Sequence, residues 1–420
     1  MARVLPDKKK LQNYLRGAAE EAEPAPPRCR HFGECGGCEF QDRSYAAQLD
    51  LKRRALAFVA ETILSEIESA GGGTERQNAE RLADALASVD PEMIPSPSPF
   101  GYRQRMDYVY AFGKAGLRRA QRRWQVTALR ECPLLGDAGF AVFQAALELA
   151  GRRRIPGYDY MRHEGELRYF VVRRSRAGGI MLSLVTKTLD RRGDVLAILS
   201  ELLDRGMIVS GHWLHAPGLG DVSFGARVEH VGEPLIYENM NDVRLGIGPN
   251  SFFQANPAVA EMAYAKMAEF ARSGGEALDM YSGVGSIALT VSRNGVSALA
   301  VENQPENLAI AGENIRINSA ANVELIAADA VEFLLERAER GGKAPGTIIV
   351  NPPRPGVTEK GMEAIRRIGQ ERLAYLSCNP FTLLRDMAKI LDAYSLRSLA
   401  LYDMFPQTRH FETLALFSRR

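Results

Sequence analysis

Two residues near the C-terminus carry side chains that could take part in covalent chemistry. Cys378 follows the apolar run "LAYLS" and precedes an Asn-Pro pair, which predicts a thiol at the carboxyl end of a strand. Most lone cysteines are small buried hydrophobic residues, but a thiol at a strand end is also placed to act as a nucleophile. Glu412 lies in "HFETLALF", near a final strand that could return to the same edge. A nucleophile and a carboxylate base together suit a reaction that begins with covalent addition.

A glycine turn in the second half of the chain predicts a ligand site at the same edge. In "LDMYSGVGSIALTVS", Asp279 ends a strand, and Gly283 and Gly285 form a tight turn before a helix. Glycines let the backbone approach a ligand, and the start of the helix offers unpaired N–H groups. The turn reads G-V-G-S, whereas a dinucleotide site usually reads G-x-G-x-x-G, so we favour S-adenosylmethionine over NAD.

Polar residues after the glycine turn fit the same cofactor. Glu302 ends the next strand, about twenty residues after the glycines, where a carboxylate can accept hydrogen bonds from ribose hydroxyls. Asp329 ends a third strand and could meet an adenine amino group. Gln254, in "GPNSFFQANP", adds a polar contact beside the cofactor.

The fourth strand of this series ends in the motif "NPPR", which begins at Asn351. N-P-P followed by an aromatic residue is the signature of enzymes that methylate amino groups, in which the aromatic ring stacks on the flipped base. Arg354 occupies the aromatic position here. Methylation of an exocyclic amine is therefore disfavoured, and a guanidinium suits a phosphate or a carbonyl oxygen.

Methylation of uracil C5 fits the remaining groups. C5 is a poor nucleophile, because its electrons are conjugated into the C4 carbonyl. A thiolate such as that of Cys378, adding at C6, would produce an enolate whose C5 can attack the methyl group of S-adenosylmethionine. Glu412 would then remove the C5 proton, and the thiolate would leave.

The other cysteines predict a metal centre. Cys29, Cys35 and Cys38 have the spacing Cys-x5-Cys-x2-Cys, and Cys132 is followed by proline. Close spacing in a chain expected in the cytoplasm indicates metal ligation, because disulfides are rare there. Three clustered thiolates and a Cys-Pro ligand suit a [4Fe–4S] cluster, and a four-thiolate zinc site is the alternative.

Taken together, the motifs resemble the RNA uridine-C5 methyltransferase family, which makes 5-methyluridine. The matching stretches run from Cys29 to Glu412 and include "DMYSGVG", "NPPR", "SCNP" and "DMFPQTRHFE". The resemblance implies an iron–sulfur branch of the family, with Cys378 as nucleophile and Glu412 as base. It also implies that the cofactor site is lined by Gln254, Tyr281, Ser286, Glu302, Asp329 and Asn351.

The sequence indicates the type of reaction more closely than it indicates the target RNA. Members of the family often have Asp at the position of Asn351, whereas a branch that acts on ribosomal RNA has Asn. We expect methylation of a uridine in 23S ribosomal RNA, with the T-loop uridine of transfer RNA as the alternative. A catalytically inactive RNA-binding protein on the same scaffold is a further alternative, but a binding protein needs neither Cys378 nor Glu412. DNA cytosine methylation is disfavoured, because its nucleophile normally follows the fourth strand rather than the fifth.

The sequence pattern divides the chain into segments of an α/β protein. Residues 1–27 are polar and are expected to form a tail. Residues 28–41 and 95–238 are expected to form a β-rich central domain that carries the iron–sulfur cluster and binds RNA. Residues 42–94 form a helical segment that packs on the catalytic domain. In residues 239–420 strands alternate with helices, which predicts a Rossmann-like class I S-adenosylmethionine methyltransferase domain.

Composition and charge narrow the expected partners. The net charge of the chain is +2, but residues 101–176 hold 16 Lys and Arg against 7 Asp and Glu, a net charge of +9. This basic segment, with aromatics between its arginines, predicts an RNA-binding face, and a merely solvated face is the alternative. No apolar run approaches the roughly 20 residues of a membrane helix, and no signal-peptide pattern follows the first charges. We expect a cytoplasmic monomer without an obligate protein partner.

Overall fold

A computed structural model of the chain describes residues 4–122, 124–272, 275–341 and 344–420. The N-terminal part contains the elements α1 (Val4–Glu20), α2 (Tyr45–Ala70), α3 (Gly73–Ala87) and β1 (Glu92–Ile94). Among the described residues, no helix combines the length and the apolar character needed to cross a membrane.

A mixed sheet with flanking helices follows. Its elements are β2 (Arg105–Ala111), β3 (Lys114–Arg118), β4 (Val126–Ala128), α4 (Asp137–Arg152), β5 (Leu167–Arg174), β6 (Ile180–Thr186), α5 (Arg192–Asp204), β7 (Ser210–His215) and β8 (Ala226–Gly232). The strand order is β4-β3-β2-β5-β6-β7-β8. Alternate side chains of β5 point to opposite faces of the sheet. Phe170 and Val172 pack in the core with α4 and α5, whereas Tyr169 and Val171 pack in a second core. Both faces of the sheet are therefore covered at this strand.

A hairpin joins this sheet to the next one. It consists of β9 (Ile236–Met240) and β10 (Val243–Ile247), which pair in antiparallel register. Met240, Val243 and Leu245 pack in the same hydrophobic core as the helices that follow. The boundary expected between residues 238 and 239 thus falls inside a strand, because the hairpin continues through it.

The C-terminal part alternates strands and helices around a second sheet. Its elements are α6 (Pro257–Ala271), β11 (Ala277–Met280), α7 (Ser286–Arg293), β12 (Ala298–Glu302), α8 (Pro305–Ile317), β13 (Val323–Ala327), α9 (Ala330–Arg340), β14 (Thr347–Val350), α10 (Glu359–Ile368), β15 (Arg372–Ser377), α11 (Pro380–Ala388), β16 (Tyr394–Tyr402) and β17 (Glu412–Arg419).

The order of the second sheet creates a binding edge. The strands follow one another as β1-β16-β17-β15-β14-β11-β12-β13, and those from β15 to β13 are parallel. Ile348 and Val350 face one core and Ile349 faces the other, as expected for a strand covered by helices on both sides. The strand order reverses between β11 and β14, and ligands of doubly wound sheets bind outside the carboxyl ends of the strands at such a point.

The first helix differs from the expected tail over residues 1–27. Helix α1 packs on α2, where the rings of Tyr14 and Phe58 stack with centroids 4.3 Å apart, and Leu15 and Ala18 are buried. The apolar residues of α1 recur three or four positions apart, which gives the helix one apolar face. This face docks on α2, whose Leu51, Val59 and Ile63 belong to the same core as the catalytic sheet.

Candidate active site

The register of two antiparallel strands brings the proposed nucleophile and base together. Strands β15 and β17 pair antiparallel, and the last pair of their ladder is Ser377 with Thr413. The next pair outward in the same register is Cys378 with Glu412. Residues opposite each other in an antiparallel pair have Cα atoms about 4.5–5.5 Å apart. Two residues that lie far apart in sequence therefore meet at one edge of the sheet.

Burial and charge shift the acidity of both groups. Burial raises the pKa of Glu412 to about 8, against the opposing effect of the positive charge of Arg354. Burial also raises the pKa of the Cys378 thiol to about 11, and the negative charge of Glu412 adds to that shift. The charge of Arg354 and a hydrogen bond to it lower the pKa of Cys378. Glu412 can therefore exchange a proton near neutral pH, and Arg354 is the group that favours the thiolate.

A hydrogen bond from a side chain to a backbone carbonyl joins the SCNP motif to the NPPR motif. The side-chain N–H of Asn379 donates to the backbone carbonyl oxygen of Arg354 at 3.2 Å. The side-chain oxygen of Asn379 accepts from the backbone N–H of Phe381 at 3.2 Å. Asn379 is also the N-cap of α11. The sequence suggested Arg354 as a partner for a phosphate or a carbonyl oxygen, but not its effect on Cys378. That effect depends on the loop after β14 lying next to the end of β15.

The acidity of Cys378 can be tested with opposite substitutions. Glu412→Gln removes a negative charge, so the pKa of Cys378 should fall and alkylation by iodoacetamide should reach half its maximal rate at a lower pH. Arg354→Gln removes the positive charge, so the midpoint should move to a higher pH. Mass spectrometry of the peptide that contains Cys378 measures both rates separately from the other thiols. Shifts of the same sign in both variants would contradict the arrangement.

The glycine turn lies at the switch point of the sheet. Gly283 and Gly285 have φ values of 58° and 82°, a left-handed conformation that suits glycine. Tyr281 has φ of 62° and lies directly after β11. Ser286 is the first residue of α7, whose N-cap is Gly285. The turn thus presents the start of α7 to the space beyond β11.

Glu302 is held by backbone donors beside this turn. One carboxylate oxygen accepts from the N–H of Gly283 at 2.9 Å, and the other accepts from the N–H groups of Asn303 at 2.9 Å and Gln304 at 2.8 Å. A carboxylate has about four acceptor positions, so acceptor capacity remains for a hydroxyl group. The bonds fix the orientation of the carboxylate at the end of β12.

The neighbouring acids have structural partners as well. Asp329 is the N-cap of α9, and one of its oxygens accepts from the N–H groups of Val331 at 2.9 Å and Glu332 at 3.1 Å. Asp279 accepts from the N–H of Ala288 at 3.0 Å, and its other oxygen is buried without a partner among the described residues. Burial raises the pKa of Asp279 to about 7.

Gln254 forms a hydrogen bond with the buried Tyr264, a residue that the sequence did not suggest. Burial raises the pKa of Tyr264, and this hydrogen bond lowers it. The negative charges of Asp279 and Glu412 also raise the pKa of Tyr264. Asn351 follows β14 directly, on the strand between those that carry Asp279 and Cys378. The structure therefore gathers the expected polar residues at one edge.

The remaining cysteines line a cavity outside this edge. Cys29, Cys35, Cys38 and Cys132 all border it, and its volume is about 20 Å³. A single water needs roughly 10–15 Å³ on the same measure, so the space exceeds that need. The other lining residues are His31, Phe32, Gly37, Gln41, Leu117, Leu129, Glu131, Pro133 and Leu134.

The surroundings of the thiols bear on what they could bind. The side-chain amide of Gln41 donates to the sulfur of Cys38 at 3.0 Å, and the N–H of Gly37 donates to that of Cys35 at 3.4 Å. Burial raises the pKa of both thiols to about 12. Within the part of the chain that the structure describes, no three His, Cys, Asp or Glu side chains have the compact arrangement that holds one metal ion.

The sheet order and the polar edge together define a class of protein. A Rossmann-like α/β sheet with a glycine turn after its first central strand and an acid at the end of the next is the framework of an S-adenosylmethionine-dependent methyltransferase.

Comparison with known proteins narrows the class. Residues 231–420 match the model of the tRNA (uracil-5-)-methyltransferase family. The chain is 33% identical to a tRNA (uracil(54)-C(5))-methyltransferase of Pyrococcus horikoshii over 390 residues, which cover 92% of this chain and 84% of the relative. It is 30% identical to an uncharacterized RNA methyltransferase of Halalkalibacterium halodurans, covering 97% of this chain and 86% of that protein.

A solved structure shares the architecture. The crystal structure of Pyrococcus abyssi tRNA (uracil-54, C5)-methyltransferase in complex with S-adenosyl-L-homocysteine superposes with a TM-score of 0.73 and 28% identity, over 91% of this chain and 85% of that chain. The chain belongs to the tRNA (uracil-5-)-methyltransferase family. It is an S-adenosylmethionine-dependent enzyme that methylates C5 of uracil in RNA.

Proposed function

We propose that the enzyme works through a covalent adduct between Cys378 and the uracil ring. The thiolate adds to C6, and the ring electrons move to O4 as an enolate. C5 then attacks the methyl carbon of S-adenosylmethionine, which forms the new C–C bond and releases S-adenosylhomocysteine. Glu412 removes the C5 proton, the C5=C6 bond re-forms, and Cys378 leaves as the thiolate. The observation that supports this most directly is the register that sets Cys378 opposite Glu412.

Arg354 has an electrostatic role in this proposal. It is the positive group whose charge and hydrogen bond favour the thiolate of Cys378. After addition, the negative charge moves from sulfur to the ring oxygen, and a guanidinium can donate to either. The same side chain therefore stabilises charge before and after the C–S bond forms.

The cofactor residues are assigned by their positions at the switch point. Glu302 accepts a hydrogen bond from a ribose hydroxyl, and the second carboxylate oxygen of Asp329 accepts one from the adenine amino group. The glycine turn at Gly283 admits the backbone close to the cofactor. Gln254, Tyr281, Ser286 and Asn351 line the rest of the site. The fixed carboxylate of Glu302, with acceptor capacity remaining, supports the ribose assignment.

For the target, we favour the T-loop uridine of transfer RNA. The support is the tRNA (uracil(54)-C(5))-methyltransferase of Pyrococcus horikoshii, which shares 33% identity over 92% of this chain. The expectation of 23S ribosomal RNA remains as the second candidate, because Asn351 is the residue found in a branch that acts on ribosomal RNA. Mapping 5-methyluridine in transfer RNA and 23S RNA, from cells with and without this enzyme, separates the two. Loss of the modification from 23S RNA alone would contradict the first choice.

The basic segment 101–176 presents less charge to RNA than its composition suggests. Arg168 and Arg173 are buried, and Arg118 forms an ion pair with Asp221 at 2.8 Å. These arginines support the protein's own loops, so the net charge of +9 overstates the charge available to a phosphate backbone. Counting charged residues in the sequence cannot distinguish arginines that bind the protein's own loops from arginines that are available to RNA.

Other residues of the segment are exposed. Arg122, Arg130 and Arg162 reach solvent, and Trp124 is 71% exposed. Arg123, which the sequence also places here, lies outside the described residues. Exposed arginines and an exposed aromatic ring suit single-stranded RNA, because the cations meet phosphates and the ring stacks on a base. We propose that these residues contribute to RNA binding.

Neutralising Arg122, Arg130 and Arg162 to glutamine should weaken RNA binding and flatten its salt dependence. Each lost phosphate contact removes about 0.7–0.9 from the slope of log affinity against log salt, so the slope should fall by about 2. Fluorescence anisotropy with a labelled RNA at several salt concentrations measures it. Affinity for S-adenosylmethionine should not change.

A matched control carries the same change in net charge elsewhere. Arg192, Arg205 and Arg316 lie on the surface outside the basic segment and pair with glutamates, so their replacement should leave the slope nearly unchanged. Equal effects of the two triple variants would mean that only net charge matters, and that the exposed arginines are a solvated face.

We also propose that the four-cysteine cavity holds a [4Fe–4S] cluster. All four thiols border one cavity, so they could ligate one common group. Three clustered thiolates and a Cys-Pro ligand suit a cluster, with a four-thiolate zinc site as the alternative. N–H groups directed at Cys35 and Cys38 suit cluster ligands, whose sulfurs commonly accept such bonds. When bound, the cluster would supply a cross-link between residues 29–38 and Cys132.

A further inference from the structure

The loop before Glu412 contains a residue in a strained conformation. Gln407 has φ of 69°, in the left-handed region that non-glycine residues rarely adopt. It is buried and lies five residues before Glu412. Such conformations persist only where the surroundings determine them strongly, and they cluster at functional sites.

The surroundings of Gln407 come from the N-terminal part of the chain. Its carbonyl oxygen accepts from the N–H groups of Glu39 at 2.7 Å and Phe40 at 3.0 Å. Its own N–H donates to the side-chain oxygen of Gln48 at 2.9 Å. The side chains of Gln48 and Gln407 are also bonded, with the Gln48 amide donating at 3.0 Å. The Gln407 amide donates to the carbonyl oxygen of Pro99 at 3.3 Å.

Helix α2, which contains Gln48, also contacts the start of the loop that precedes Glu412. Lys52 of α2 forms a fully buried ion pair with Asp403 and donates to the carbonyl oxygen of Phe405 at 3.1 Å. Tyr45 donates to Asp403 at 2.7 Å. Further along, Arg409 forms an ion pair with Glu39. Residues 403–409 are thus held by side chains and backbone of residues 39–52 before the chain reaches β17.

We propose that Gln407 is a positioning residue for the proton-transfer step. Contacts with residues 39–52 keep Gln407 in its left-handed conformation, and this turn directs the chain so that Glu412 lies opposite Cys378. Gln48 is the central contact, because its side-chain amide forms hydrogen bonds with both the backbone and the side chain of Gln407. The inference rests on the proposed role of Glu412 as the base.

The test uses a substitution outside the catalytic loop. Gln48→Met keeps the length of the side chain and removes its bonds to Gln407, together with those that its amide donates to the carbonyl oxygens of Phe40 and Arg43. Glu412 is then present but displaced, and displacements of about 1 Å can cost about 100-fold in rate. We expect kcat to fall by about 10- to 100-fold, with the KM for S-adenosylmethionine unchanged. A methylated enzyme–RNA adduct that survives denaturation should also accumulate, because removal of the C5 proton becomes slow.

The controls separate positioning from stability. Arg54→Gln, on the exposed side of α2, should leave kcat and adduct levels unchanged. If Gln48→Met does not fold, Glu39→Gln, which breaks only the ion pair with Arg409, should show a smaller rise in adduct. A fall in the active fraction without any adduct, while Glu412→Gln does trap one, would overturn the role of Gln407. Failure of Glu412→Gln itself to trap an adduct would instead overturn the proposed base.

Discussion

Replacement of Cys378 by alanine should lower methylation by at least about 10⁴-fold, the scale seen when a catalytic nucleophile is removed. Without the thiolate, C5 stays conjugated to the carbonyl and cannot attack the methyl group. Binding of S-adenosylmethionine should remain nearly intact, because Cys378 is not among the residues assigned to the cofactor. Formation of 5-methyluridine measures the first effect, and calorimetric titration measures the second.

Glu412→Gln should fail at a later step of the same reaction. The adduct can form and accept the methyl group, but loss of the C5 proton should slow by about 10²–10⁴-fold, as for removal of a general base. Labelled RNA should therefore remain attached to the protein on a denaturing gel. The effect should grow clearer at a pH above about 8, where the original Glu412 is ionised and the unmodified enzyme releases its product fast.

A double variant provides the control for this experiment. Glu412→Gln combined with Cys378→Ala should give no attached RNA, because the C–S bond cannot form. Turnover retained in either single variant, with no adduct in Glu412→Gln, would show that the reaction follows another route.

Protein purified without oxygen should be brown and contain about four iron atoms per chain, with little zinc, if the cysteine cavity holds a [4Fe–4S] cluster. Changing Cys35 or Cys132 to serine should bleach it. The melting temperature should fall by several degrees, because the link between residues 29–38 and Cys132 is lost. Absorption spectra, metal analysis and calorimetry measure these outcomes.

The fifth cysteine is the matched control for the metal experiment. Cys378→Ala removes a thiol that lies outside the cavity, so iron content and colour should not change. A colourless, zinc-loaded and active protein would show that the site holds zinc instead. Full colour in the Cys132 variant would show that another group completes the site.

The sequence alone predicted which polar residues lie at the carboxyl edge of the second sheet. Gly283, Glu302, Asp329 and Asn351 each follow a short apolar run, which predicts a strand end. The carboxyl ends of parallel strands lie on one edge whatever the details of packing, so local patterns sufficed to bring these residues together. The same holds for the spacing of Cys29, Cys35 and Cys38, where closeness in space follows from closeness along the chain.

The tertiary structure decided the contacts that join distant segments. Only the antiparallel register of β17 sets Glu412 opposite Cys378, because a shift by one residue would turn every side chain of the strand to the other face. The apolar face of α1 is a local pattern, but the surface on which it docks depends on segments remote in sequence, as do the hydrogen bonds between Gln48 and Gln407. A count of charged residues treats Arg168 and Arg173 as surface charge, whereas both are buried in the fold. Local patterns report backbone preference and polarity, whereas burial and pairing depend on which remote residues fold against a side chain.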